Sequence, residues 1–119
     1  MGLRQERMAD EIRDLLALNF QGGKLSDPRL EFVTITAVKL SADLQVGTVY
    51  FRTYTDEAKD NALKGLQSAA GFFRKQLGRE LDIRRVPELR FIYDNSLENA
   101  ANIETLLGKI ASEQGDSKD

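Results

Sequence analysis

The sequence predicts an α+β domain with helices packed on one face of a short sheet, and three observations carry that expectation. Two stretches rich in Val, Thr, Ile and Phe flank a turn at Ser41-Ala42-Asp43, which reads as an antiparallel hairpin. Apolar residues recur at helical spacing before the hairpin and again after it. The 119 residues, 41% apolar and 30% charged, suffice for one core and are too few for two ordinary domains.

Each element follows from its local pattern. Residues 4–20 place Met8, Ile12, Leu15 and Leu16 at helical spacing between charges, so the first helix is amphipathic and ends before Gly22-Gly23. Lys24 to Arg29, with the Asp27-Pro28 turn signal, is a loop. Leu30 to Leu40 reads as a strand whose alternation changes phase. Val33, Ile35 and Ala37 share one face while Val38 and Leu40 fall on the other, and either a bulge near Thr36 or two-sided burial reconciles them. Val46 to Tyr54 is the second strand, with Gly47, Val49 and Phe51 on one face.

Thr55 is the expected N-cap of the next helix, with Asp56 and Glu57 complementing its dipole. Ala62, Leu63, Leu66, Ala69, Ala70, Phe73 and Leu77 hold one apolar stripe through Gly71. Glycine weakens a helix by about 1 kcal/mol relative to alanine, so a kinked pair of helices is expected there. Pro87 suits a strand's start, and Leu89, Phe91 and Tyr93 alternate after it, giving a strand at 88–93. Ser96 is the expected cap of a last helix bearing Leu97, Ala100, Ile103, Leu107 and Ile110 on one face. A single domain over 1–111 is expected, followed by a disordered polar tail at 112–119.

Composition excludes several functions. With neither cysteine nor histidine, disulfide and thiolate chemistry and the commonest general base and metal ligand are missing, so no cofactor or metal is expected. No apolar run approaches membrane-spanning length, and the N-terminus lacks a secretory core and a myristoylation site; a cytoplasmic protein with no membrane partner is expected. Charge is uneven. The chain carries a net charge of −2, yet residues 74–90 hold six bases and three acids, and Ser96 to Asp119 holds five acids and two bases. Such asymmetry suggests a basic face, although arginines on a helix can equally form a solvated surface.

The element order α-β-β-α-(kink)-α-β-α and particular stretches carry a resemblance. DPRLEFVTITAVKLSADL (Asp27 to Leu44), VGTVYF (Val46 to Phe51), AAGFFRKQLGRELDIRRVPELRFIYDNSLE (Ala69 to Glu98) and the opening RQERMADEI resemble the ribosome-binding factor A family. The resemblance covers nearly the whole chain. It implies a type II KH-like fold with a three-stranded mixed sheet, the third strand parallel to the first and beside it, with the hairpin partner on the other side. It also implies a non-catalytic, monomeric assembly factor that binds the free 30S ribosomal subunit, rather than 70S ribosomes. Its task would be late maturation of the 5′ region of 16S rRNA. Ala69-Ala70-Gly71 fits the Ala-x-Gly kink that in this family replaces the Gly-x-x-Gly loop of RNA-binding KH domains.

Physical chemistry supplies roles for these residues. Ala69, Ala70 and Gly71 would let a phosphate approach the backbone at a helix N-terminus beginning at the kink. Arg74, Lys75, Arg79, Arg84 and Arg85, with Lys64, would supply positive charge, and arginine's planar fork suits phosphates and unpaired bases. Each has a plainer alternative. Ala69 and Gly71 can simply let two backbones pack closely. Arg74, Lys75 and Arg79 form no single stripe, and one of them can pair with Glu80. Arg84 and Arg85 lie side by side in a loop, where binding residues concentrate. On the first helix Arg4 and Arg7 join the RNA-binding candidates, although Glu6, Asp10, Glu11 and Asp14 interleave with its bases and favour a solvated face. Tyr50, Phe51 and Tyr54 alternate across strand faces and are not expected to form a base-stacking platform.

Two other classes of function stand beside this one. Small α+β phosphohydrolases need only an Arg and an Asn, and Arg29, Arg52, Asn95 and Asn99 are available. However, the chain lacks a glycine-rich phosphate loop and clustered carboxylates. A protein-binding adaptor using the acidic last helix is the other alternative.

Overall fold

Helix α1 spans Gly2–Leu18 in the computed structural model, which describes residues 2–21 and 25–100. Its apolar stripe is the expected one. Ala9, Ile12 and Leu16 are buried, and Met8 and Leu15 pack at the core's edge. Leu30 to Val33, expected as the start of the first strand, instead holds the end of a 3-10 turn at Pro28–Leu30 and a second turn closed by the Val33 N–H on the Leu30 carbonyl. Asp27 caps that turn by accepting the Arg29 N–H at 2.9 Å, and proline suits its first position. Strand β1 is therefore Thr34–Leu40. It pairs antiparallel with β2, Val46–Arg52, and the register shifts between Ile35 and Ala37. Of the two accounts open for the phase change, the bulge at Thr36 is the correct one. It turns Val33, Ile35, Val38 and Leu40 all toward the core.

A 3-10 turn at Asp56–Ala58 leads into helix α2, Lys59–Glu80. Thr55 sits at the cap position, but its hydroxyl makes no capping bond; its carbonyl accepts the Ala58 N–H instead, at 3.2 Å. The expected break at Gly71 is absent: α2 is one helical element of 22 residues. Burial explains why. Ala62, Leu66, Phe73 and Leu77 are fully buried on one side of it. Burying a Leu or Phe side chain is worth about 1.5–3 kcal/mol, so a single glycine on the solvent side does not interrupt the helix.

Strand β3, Glu88–Tyr93, has the expected bounds, but the expected strand order is wrong. The sheet order is β1-β2-β3, with β3 parallel to β2 and register Val46↔Glu88 through Phe51↔Tyr93. The β2-α2-β3 segment is a helical crossover, which naturally lays its two strands side by side in parallel. Val49 and Phe51 on the central strand are wholly buried beneath α1 and α2. Asn19, the one buried polar residue among those described, exchanges amide hydrogen bonds with Gln76 and so ties the end of α1 to α2 (2.7 and 3.3 Å).

After β3 the Asp94 carboxylate accepts the Ser96 N–H at 2.8 Å, and the Asn95 carbonyl accepts the Asn99 N–H. Residues 96–100 are helical, so Ser96 is the first helical residue rather than the cap, because Asp94 and Asn95 satisfy the first amide groups. Ile103, Leu107, Ile110 and the polar tail lie outside the described residues.

Candidate nucleic-acid interface

The loop joining α2 to β3 carries Arg84 and Arg85, and its position is fixed from behind. Arg74 reaches from α2 and donates to the carbonyls of Val86 and Pro87, both at 3.2 Å. This pins the loop against the helix. The N-terminal part of α1 brings Arg4 to the same place, and the hairpin turn brings Asp43, Leu44 and Gln45. Between them lies a groove of about 490 Å³ with Met8, Leu44, Ile83 and Val86 among its lining residues.

Four of the expected residues, Arg4, Arg74, Arg84 and Arg85, thus converge on one groove from α1, α2 and the loop. None of them forms an ion pair among the described residues. The three acids of the groove are Asp43, Asp82 and Glu88. Asp43 is engaged in its own turn, where hydrogen bonds from Ser41 and Gln45 hold its carboxyl below the usual range. Glu88 pairs with Arg90 at 2.7 Å. Asp82 is the remaining acid, and the groove presents the guanidinium groups of Arg4, Arg84 and Arg85, with no ion-pair partner among the described residues, beside an apolar lining. That combination suits phosphate on one side and the face of a base on the other.

Other expected residues form a separate ridge. Lys64, Gly71, Lys75 and Arg79 lie on the solvent side of α2, and all four are exposed. Lys64 and Arg79 are separated by about 22 Å at 1.5 Å per residue. Arg79 lies 3.6 Å from Glu80, the partner expected for one member of this set. Gly71 has no helix N-terminus to offer, because α2 continues through it, so the phosphate-on-helix-terminus role falls away. A packing role fails too: a Cβ built at Gly71 would meet no described atom within 4 Å. Gly65 is the packing glycine, where a Cβ would lie 3.0 Å from Leu30 Cδ2 and 3.1 Å from Arg29 Cβ. Ala69 and Ala70 are half-buried at the two flanks of α2. Arg7 is exposed on α1 and does not line the groove.

The place of the hairpin turn in the groove, and the apolar lining, were not legible in the sequence. Ser41 to Gln45 reads only as a turn, and nothing local says that it meets the start of α1. The two arginines of the phosphohydrolase set are already engaged. Arg29 binds Asp27, and Arg52 binds Glu98 through both terminal nitrogens (2.9 and 2.7 Å) and also the Asp94 carbonyl. Phe51 is fully buried while Tyr50 faces the other side of the sheet, so no aromatic platform forms there, as expected.

The family model for ribosome-binding factor A matches residues 4–107. The chain belongs to the ribosome-binding factor A family. It is 44% identical over 113 residues to ribosome-binding factor A of Geobacter metallireducens, covering 94% of this chain and 95% of that protein. The crystal structure of ribosome-binding factor A from Thermus thermophilus matches with a TM-score of 0.67 and 32% identity, over 75% of this chain and 93% of that one. A homology model of Thermus thermophilus ribosome-binding factor A, fitted into a cryo-EM map of its 30S complex, matches with a TM-score of 0.61 and 33% identity, over 73% and 91% of the two chains. The KH-like fold is thus that of the ribosome-binding factor A structures.

Proposed function

We propose that this protein is a cytoplasmic, monomeric assembly factor that binds the free 30S subunit and its 16S rRNA, without catalysis, late in maturation of the rRNA 5′ region. The observation that carries the binding mode is the convergence of Arg4, Arg74, Arg84 and Arg85, with no carboxylate partner among the described residues, on an apolar-lined groove. Family membership supports the partner, since a relative of the same fold has been placed in a 30S complex. The ridge of Lys64, Lys75 and Arg79 would extend the contact along the phosphate backbone.

Salt dependence tests the reading. Four groove arginines, each meeting one phosphate, give a log–log salt slope of about −3. Arg84→Glu with Arg85→Glu should about halve that slope and weaken co-sedimentation with small subunits while the protein stays folded, because both side chains are exposed. A folded double variant with wild-type co-sedimentation and slope rejects the groove as the RNA site.

A further inference from the structure

The opposite end of the sheet has a different chemistry. Phe32 lies just before β1 and Tyr54 just after β2, whereas the arginine groove is built at the Gln45 and Glu88 end. Seven residues of β2 separate the two ends, about 20 Å at strand rise. Phe32 and Tyr54 are 67% and 84% exposed, and their rings lie beside each other, with centroids 5.7 Å apart and planes tilted by 45°.

Phe32 is also strained. Its φ is +67°, in the left-handed region that a bulky side chain avoids. The turn itself has a structural purpose, since it sends Leu30 and Val33, both 4% exposed, into the core. Glycine or asparagine would make that turn without strain. Phenylalanine adds nothing to the core and leaves a large apolar ring in solvent. The fold therefore explains the turn but not the residue.

Charge around this corner is acidic. Glu31, Asp56, Glu57 and Asp60 are exposed beside the two rings in sequence, and none has an ion-pair partner among the described residues. The neighbouring cations among the described residues are occupied. Arg29 binds Asp27, Arg52 binds Glu98, and Lys59 lies over the Tyr93 ring at 4.8 Å. Favourable placement at the start of α2 accounts for Asp56, Glu57 and Asp60. It accounts neither for Glu31 nor for the exposed aromatic pair. Nucleic acid fits this corner poorly, because its phosphates would face carboxylates.

We infer that the Phe32–Tyr54 corner is a second docking surface, one that receives an arginine-bearing segment of a basic protein partner. A guanidinium stacks on an aromatic face, and neighbouring basic residues meet the carboxylates. The inference is independent of the small-subunit reading, which concerns the other end of the molecule. It makes the protein two-ended, basic toward nucleic acid and acidic-aromatic toward protein.

The test titrates the full chain, with its aromatic rings isotopically labelled, with a short arginine–glycine repeat peptide and separately with an oligouridylate. The peptide should shift the Phe32 and Tyr54 ring signals, and Tyr54→Ala should weaken that binding about tenfold. Glu31→Lys combined with Glu57→Lys should abolish it. Tyr54 is almost wholly exposed, so its removal leaves the fold intact, which the unchanged signals of Phe51 and Phe73 would verify. The inference is overturned if the peptide leaves both rings unmoved, if the oligouridylate moves them instead, or if Tyr54→Ala binds the peptide as tightly as wild type.

Discussion

Replacing Gly71 with alanine separates stability from binding in a way no arginine substitution can. The helix is continuous there, the glycine is exposed, and its absent Cβ points where no described atom lies within 4 Å. Intrinsic propensity is then the only local term, and Gly71→Ala should stabilise the protein by about 0.8–1.0 kcal/mol. In a chain of this size that raises the melting midpoint by about 4 °C. Gly65→Ala is the matched control. Its Cβ would lie 3.0 Å from Leu30 Cδ2 and 3.1 Å from Arg29 Cβ, and Leu30 is only 4% exposed, so overpacking of about 1–3 kcal/mol should exceed the same propensity gain. The midpoint should fall. Thermal unfolding followed by circular dichroism measures both, and small-subunit co-sedimentation is run on the same samples. If Gly71 keeps the α2 ridge flat for close approach of RNA, Gly71→Ala is more stable yet binds more weakly. A lowered midpoint would refute the placement of Gly71 on an open flank, and a raised midpoint with undiminished binding would refute its contact with RNA.

Other substitutions probe the supports of the groove and core. Arg74→Ala should lower stability by about 1 kcal/mol, because it removes the two bonds to the Val86 and Pro87 carbonyls, whereas Arg84→Ala should change it by less than about 0.5 kcal/mol; urea unfolding of both variants checks the contrast. Asn19→Ala strands the Gln76 amide and should cost about 1–3 kcal/mol by the same measurement, while leucine at both positions should recover part of the loss. Hydrogen bonds from Ser96 and Thr36 hold the Asp94 carboxyl below its ordinary range. Its contribution is therefore present above the unfolded value of about 3.9 and is lost as pH falls through the lower folded value. Asp94→Asn should flatten the stability profile in that acid window and leave the neutral-to-alkaline part of its shape unchanged.

Much of the fold was legible because periodicity reports burial directly. The α1 stripe, the β3 bounds and the phase change at Thr36 all follow from which side chains must face the core. Strand order was not legible in this way. Alternation in β2 says which residues are buried, but not whether β3 hydrogen-bonds to its edge or to the edge of β1. The expected interruption at Gly71 failed for a related reason: propensity is local, and the packing of Leu66, Phe73 and Leu77 that holds α2 continuous through it is not. At the candidate site, residue types were readable and convergence only partly so. Arg84 and Arg85 stood out as a loop pair, and Arg74 as a nearby charge. Its bonds to the loop carbonyls, and the arrival of Arg4 with the hairpin turn, depend on tertiary contacts that leave no mark on sequence spacing.

The central position of β2 also bears on how the sheet can assemble. The turn at Ser41 to Gln45 closes the β1–β2 hairpin cheaply, whereas β3 pairs with β2 only after the whole of α2 has been laid down between them. Assembly of the sheet can therefore begin before the groove exists. The arginine loop, which precedes β3, acquires its fixed place only when the last strand docks. Amide protons of β2, shielded on both edges, should be among the slowest to exchange with solvent, while those on the outer edge of β3 belong to the part of the sheet that opens first. Local opening at β3 would loosen the Arg84–Arg85 loop while the hairpin stays paired, so the groove can lose its shape without the domain unfolding.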